Sequence, residues 1–332
     1  MNRDHSSNPL PAGAPGRLLL IHFGQMGDAV LALPAARALA AWGGAERLTV
    51  LASGSGAAIF RMAGFQAVWP VDRVRWKARP LVAALEIPQL LWRLRRQRFA
   101  LSVDLHSLKE TNLLAWLAGV PERVAMLRPT RSYPRLINRP PPPDDPDGVL
   151  LDRYCRVLAP LGIIVTDRRP RLTPGVAEAA QAAVLLPGSP WLGVCPGAGH
   201  PSRRWPPERF AAVVREYLQA APGRQAVVFA GPEESETTLA PFRQVPRARI
   251  VSGLTLPALA AALARCRVVL SNASGPSHVA AAVGTRVISI GEIPPFDPVG
   301  WTPDAVRVVR AHGRVADVPQ SAVSAALAAT EG

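Results

Sequence analysis

The sequence predicts an α/β protein made of two parallel-sheet domains in series. Three observations carry this. Short apolar runs of strand type alternate with segments of helical period, twice along the chain. A proline-rich break, PPPP at 140–143 followed by DDPDG, falls between the two alternations. Glycine-rich turns follow several strand-like runs, which is where open parallel sheets bind ligands. The 332 residues, 48% hydrophobic and 19% charged, are too many for one ordinary core and too apolar for a disordered chain.

Arg17 to Phe23 is the first strand-like run, and Asp28 to Ala41 sets Val30, Leu31, Leu33, Pro34, Ala38 and Leu39 at helical spacing. Further strand-like runs lie at Leu48 to Ala52, Ala67 to Val71 and Leu101 to Leu105, with helical patterns near 55–63, 81–97 and 109–118. Residues 129–147 read as loop or linker, since neither kind of element tolerates that proline density. A helical stretch, Val149 to Leu161, precedes a second irregular piece, Gly162 to Gly175. The second alternation places strands at Leu192 to Cys195, Ala226 to Ala230, Arg249 to Val251, Val268 to Leu270 and Val287 to Ile290. Its helices fall near 207–220, 256–264 and 276–282. The expected domains are 17–160 and 176–332, with a C-terminal helix that crosses back in one version of this layout.

Composition narrows the function. The first 16 residues are polar and rich in Pro and Gly, the apolar run 18–23 is too short for a signal peptide, and no run reaches the ~18 apolar residues of a membrane span. The expectation is a soluble, cytoplasmic protein. Cys155, Cys195 and Cys266 form no CxxC pair, so they read as buried small apolar residues. His5, His22, His106, His200 and the HGR at 312–314 show no ligand spacing, and no metal site is expected. The net charge is +14, and Lys77 and Lys109 are the only lysines. Arg73, Arg75, Lys77, Arg79, Arg93, Arg95, Arg96 and Arg98 crowd residues 73–98 against the single acid Glu86. Such a surface suits phosphates or anionic lipid; no helix-turn-helix, zinc knuckle or RNA motif accompanies it, so nucleic acid is not the expected partner.

Four turns carry chemistry. In HFGQMGDAVLALP, Gly24 and Gly27 turn the backbone and Asp28 opens the helix, either as a cap or as a general base at a sheet edge. A third glycine for GxGxxG is missing, which disfavours a dinucleotide fold. In CPGAGHPSRRWPPERF, Gly197 and Gly199 free the backbone, while Ser202, Arg203 and Arg204 supply a hydroxyl and fixed positive charge beside a helix start, a diphosphate cradle without the Walker spacing. In SNASGPSHVAAAVG, the amides of Ser274 and Gly275 suit an anion, Pro276 suits the first helical turn, and His278 is a polar contact or an acid. In FAGPEESE, Glu233 or Glu234 suits a ribose diol.

Together the segments GQMGDAVLALPAARAL, PGAGHPSRRWPPERF, AGPEE and LTLPALAAALARCRVVLSNASGPSHVAAAVGT resemble glycosyltransferase family nine, the bacterial ADP-heptose:lipopolysaccharide heptosyltransferases. The resemblance implies the GT-B fold, two Rossmann-like domains around a cleft, with the acceptor on the N-terminal side and the nucleotide sugar on the C-terminal side. It implies inverting transfer without a metal or a separate cofactor, from an ADP-sugar to an anionic glycolipid acceptor at the cytoplasmic face of the inner membrane. By motif position Asp28 matches the general base and Arg203 the Lys that neutralises the leaving diphosphate. Gly197, Ser202, Glu234, Leu254, Asn272, Ser274, Gly275 and His278 match donor-binding positions, with Glu234 at the ribose and Leu254 near the adenine. Two departures stand on the donor side: Ala273 occupies the position of the family's Asp, and IGEIPPFDP replaces a GPT-like turn. They leave a catalytically silent GT-B binding protein as the alternative.

Overall fold

Near-continuous apolar runs mark strands covered on both faces, and these take the centres of two parallel sheets. The structure, a computed structural model, describes residues 16–128, 130–188, 191–232, 234–291, 306–310 and 313–330. In the first sheet β1 (Arg17–His22), β2 (Leu48–Ser53), β3 (Ala67–Val71), β4 (Phe99–Asp104) and β5 (Glu122–Ala125) pair in the order β3-β2-β1-β4-β5, all parallel. The central β1, RLLLIH, is buried at every residue after Arg17. Between the strands run α1 (Met26–Gly43), α2 (Gly54–Met62), α3 (Arg73–Ala78), α4 (Pro80–Gln97) and α5 (Lys109–Leu117), and α6 (Leu150–Arg156) follows β5. Caps fix where they start: Ser53 Oγ accepts the Gly56 N–H at 3.3 Å, and Asp72 Oδ1 accepts that of Arg75 at 2.8 Å.

The second sheet contains β6 (Trp191–Cys195), β7 (Gln225–Ala230), β8 (Ala248–Ser252), β9 (Cys266–Asn272), β10 (Arg286–Gly291) and β11 (Val306–Arg310), in the order β11-β10-β9-β6-β7-β8. Its helices are α7 (Val176–Leu185), α8 (Pro207–Gln219), α9 (Glu236–Arg243), α10 (Leu256–Ala264), α11 (Gly275–Ala282) and α12 (Gln320–Ala328). Trp205, Phe210, Phe242 and the inward residues of β6, β7, β9 and β10 form one core under α8 and α12.

Contacts divide the chain into two units, the first running to Arg168 and the second from Arg169 onward, with Gln25–Val30 and Asp147–Val149 grouped with the second. α12 packs on α8, β10 and β11 within the second unit. The proline-rich segment is a packed loop of the first unit, not a linker: Asn138 Oδ1 accepts the Arg123 N–H at 2.7 Å, and Arg153 holds Asp144 in a buried pair at 2.5 Å. Five elements had no counterpart in the strand and helix runs: α3, β5, α7, α9 and β11. α7 is Ala-rich, and β5 is four residues long, below what alternation can register. Cys195 and Cys266 are buried as expected, whereas Cys155 is only half-buried.

Candidate functional site

The carboxyl ends of neighbouring strands gather most of the residues singled out in the second half. Gly197 follows β6, Gly231 and Glu234 follow β7, Leu254 follows β8, and Asn272, Ala273 and Ser274 close β9. Glu234 is folded against two glycines: a Cβ on Gly197 would stand 1.6 Å from its Oε1, and one on Gly231 would stand 2.6 Å from its Oε2. Neither glycine has a positive φ; a Cβ at either position would have to displace the Glu234 carboxylate from where it rests. Glu233 lies outside the described residues.

The loop after β6 is held at both ends by one side chain. Asn272 is completely buried; its Nδ2 donates to the Pro196 carbonyl at 2.6 Å and its Oδ1 accepts the Trp205 backbone N–H at 3.0 Å. Asn272, matched above to a donor-binding position, thus spends one amide N–H and one carbonyl lone pair on clamping the loop. Trp205 is itself buried, with Nε1 donating to the Val318 carbonyl at 2.9 Å and its ring edge-on to Phe210. Inside the loop Arg204 Nε donates to the Ala198 carbonyl at 2.9 Å, so Arg204 braces the backbone. Ser202 and Arg203 are exposed on a 3-10 turn, Pro201–Arg203, where His200 Nδ1 lies 2.8 Å from Ser202 Oγ. Arg203 is thus carried on a braced loop just ahead of α8.

α11 starts at Gly275, and Ser277 Oγ donates to the Ser274 carbonyl at 2.6 Å, which tightens its first turn. His278 is buried, its Nδ1 has no hydrogen-bond partner among the described residues, and burial lowers its pKa to about 4. It is neutral at pH 7. The Cβ of Ala273 faces Gly291, where an added Cβ would come within 2.6 Å of it. The loop 292–298 that departs from the family pattern lies outside the described residues.

Asp28 is the third residue of α1, half-buried, and its Oδ2 accepts the Gln25 backbone N–H at 3.2 Å. Asp28 thus does not open the helix but reaches back from its third position to the backbone N–H just before it, with one carboxylate oxygen. Gln25–Val30 belongs by its contacts to the second unit, and there Gly27 lies against His278, a Cβ on Gly27 standing 2.9 Å from the ring's Cδ2.

Sequence reasoning set aside His22 and His106 for want of ligand spacing, yet the structure brings them together. Their ring centroids are 5.6 Å apart, and Tyr154 lies against His22 at 5.5 Å. The available signal was positional: His22 ends β1, and His106 follows the carboxylate that ends β4.

Comparisons with known proteins add the following. The model of glycosyltransferase family 9 (heptosyltransferase) matches residues 87–312, a segment that contains the donor-side turns but not Asp28. A lipopolysaccharide heptosyltransferase 2 of Escherichia coli is 26% identical over 218 residues, 59% of this chain and 61% of that protein. The chain thus matches about three fifths of the length of this curated relative. In structure it resembles an ADP-heptose LPS heptosyltransferase II of Escherichia coli, with a TM-score of 0.75 at 22% identity, covering 95% of this chain and 98% of the other. An Escherichia coli heptosyltransferase solved with ADP-2-deoxy-2-fluoro heptose gives 0.75 at 20% identity, covering 94% and 99%. These likenesses establish the α/β fold of GT-B heptosyltransferases.

Proposed function

The chain belongs to glycosyltransferase family 9, and from that premise we propose that it transfers a heptose or related sugar from an ADP-sugar to a lipopolysaccharide-core type of glycolipid, with inversion and without a metal. The observation that carries the donor half is the edge of the second sheet, where the clamped 196–205 loop carries Arg203 and a glycine-walled Glu234 stands beside it. Relatives of this fold solved with ADP and with an ADP-heptose analogue support a nucleotide donor.

In the proposed reaction the Asp28 carboxylate accepts the proton of an acceptor hydroxyl as that oxygen attacks the anomeric carbon. The bond from the anomeric carbon to the diphosphate oxygen breaks, and ADP departs. Arg203 and the start of α8 meet the negative charge that develops on the diphosphate, which is the role a metal would otherwise take. Glu234 accepts from the ribose diol, Leu254 packs on the adenine, and Ser274, Gly275 and His278 contact the donor; Ser202 and Gly197 shape the phosphate loop. Asp28→Asn should lower kcat by at least ~100-fold while leaving ADP affinity nearly unchanged, because the base acts in the transition state.

The acceptor surface proposed for residues 73–98 is partly spent within the protein: Arg73 pairs with Glu110, Arg75 with Glu86 at 3.1 Å, and Arg95 Nε donates to the Leu117 carbonyl at 2.8 Å. What α4 offers instead is an apolar stripe. At about 100° per residue, Leu81, Leu85 and Trp92 fall within about 40° of one line, and they are 84%, 68% and 58% exposed. Arg95 and Arg96 flank that line, and Arg96 stacks on Trp92 at 4.7 Å. We assign this face to peripheral contact with an anionic membrane surface at the cytoplasmic side. No described helix is long and apolar enough to cross a membrane.

A second reading, a donor-binding protein without turnover, is favoured by Ala273 alone. Calorimetric titration with ADP and ADP-heptose, followed by a transfer assay, separates the two. Donor binding that Arg203→Ala abolishes, together with turnover, supports the transferase. Binding without turnover supports the silent protein, and no binding removes both.

A further inference from the structure

The proposed reaction makes no use of the side chains that converge at the carboxyl edge of the first sheet, where β1, β4 and β5 lie side by side. His22, the last residue of β1, is fully buried; its Nε2 lies 3.3 Å from the Tyr154 hydroxyl, and its Nδ1 has no hydrogen-bond partner among the described residues. His106, two residues past β4, packs edge-on against His22 and also buries an unpartnered Nδ1. Arg128, three residues past β5, buries an Nη1 that likewise lacks a partner. Burial and the Arg128 charge hold His22 down to a pKa of about 3, and burial, His22 and the neighbouring arginines hold His106 to about 2, so both rings are neutral at pH 7.

Three buried nitrogens without partners in one cluster are rare in a folded protein, since each such group carries a desolvation cost. The adjacent carboxylate does not relieve it. Asp104 Oδ1 accepts the backbone N–H groups of His106 at 3.2 Å and Ser107 at 2.7 Å, and Oδ2 accepts the Thr111 hydroxyl and Asn112 Nδ2. Those bonds hold Ser107 in the left-handed region, φ 46°, and turn His106 into the cluster. Asp104 is therefore a positioning residue. The charge that remains is positive: the Arg128 charge acts on both rings, and Arg131 and Arg73, the latter paired with Glu110, add to the potential at His106. With the Nδ1–H tautomer on each ring, His22 Nε2 accepts the Tyr154 proton, and two imidazole donors and a guanidinium are left to offer.

We propose that His22, His106 and Arg128 form a binding site in the first unit for a single oxyanion, a phosphate or a sugar carboxylate. Its assignment to the acceptor rests on the transferase reading above, whereas the site itself stands on the first unit alone. Arg128 Nε is spent on Met126 Sδ at 3.3 Å, so its unpartnered Nη1 is the donor that meets an anion oxygen, and the neutral rings donate without adding charge, which favours a group held by directed hydrogen bonds over bulk electrostatics.

The test is a histidine-ring NMR titration of the full chain, with inorganic phosphate in one arm, glucuronate in another and chloride as the ionic-strength control. Saturable shifts of the His22 and His106 resonances are expected with at least one of the two anions, and the arm that responds identifies the group. Reading those two rings keeps anion binding near Arg203 from being mistaken for this site. Arg128→Gln should weaken the response at least ~10-fold, and Arg128→Lys, which keeps the charge but not the fork, should weaken it less. No saturable shift in either arm of the unmodified protein overturns the proposal, as does undiminished affinity in a folded Arg128→Gln. ADP titrated into the same sample reports on the donor reading separately, so loss of ADP binding with the anion response intact removes that reading and leaves this site.

Discussion

Replacing Asn272 with alanine removes both ends of the clamp on the 196–205 loop. Two buried backbone groups, the Trp205 N–H and the Pro196 carbonyl, lose partners now at 3.0 and 2.6 Å. Each orphaned buried group costs about 1–3 kcal/mol, so the variant should be destabilised by about 2–6 kcal/mol. At about 2–4 °C per kcal/mol for a unit of this size, the transition of the second unit should fall by roughly 4–24 °C in differential scanning calorimetry. The transition of the first unit should stay in place, since Asn272, Pro196 and Trp205 all belong to the second. The loop also carries Arg203, so ADP affinity measured well below the transition should fall about tenfold as the cradle loses its fixed geometry. Ser202→Ala is the control: its exposed hydroxyl bonds only locally to His200, and its effect should stay within about 0.5 kcal/mol. A melting shift in Asn272→Ala below about 2 °C together with unchanged ADP affinity would refute the clamp.

Three further outcomes are expected. Gly197→Ala places a Cβ on the Glu234 carboxylate, so calorimetry should show ADP affinity reduced about as much as in Glu234→Ala, with the double variant no worse than either single one; additive losses would mean that the two act separately. Leu85→Glu with Trp92→Glu removes two exposed apolar side chains from α4; co-sedimentation with vesicles containing anionic lipid should fall at least ~10-fold while the melting temperature is unchanged. For pH, His22 and His106 are held to about 3 and about 2, below the ordinary histidine value, so between that value near 6.5 and about 4 the unfolded chain binds more protons and stability falls on acidification. Asp104 acts in the opposite sense: burial raises it to about 6, so it retains its proton longer in the folded state across the same window. Two histidines against one carboxyl leave a net loss of about 1 kcal/mol per pH unit in the first unit. Urea titrations at pH 7, 5.5 and 4.5 would show it, and a flat or rising profile would contradict the neutral assignment of the rings.

Asp104 and Asn272 show how local polar chemistry is used in this protein to shape loops. Each ends a strand, each is buried, and each spends its side chain on backbone a few residues or many residues away. Both stand where a sheet edge presents ligand-binding turns, so position alone did not separate the ligand contacts from their supports.

The sequence by itself determined the two alternations of strand and helix, because apolar runs covered on both faces and helical spacing are properties of neighbouring residues. It also determined the glycine-rich turns and the family that they resemble, since GQMGD, PGAGHPSRR and SNASGPSH are contiguous. Only the tertiary structure decided what lies between distant segments. Gly197 and Glu234 are 37 positions apart, and the carboxylate of one rests on the backbone of the other. That Asn272 clamps the Pro196 carbonyl and the Trp205 N–H, 76 and 67 positions away, is visible only in the fold. His22 and His106 read as isolated until parallel pairing of β1 with β4 brings their rings to 5.6 Å. Strand order sets these neighbours, and that order follows from how whole helices cover a sheet, a long-range packing outcome that no local window of residues encodes.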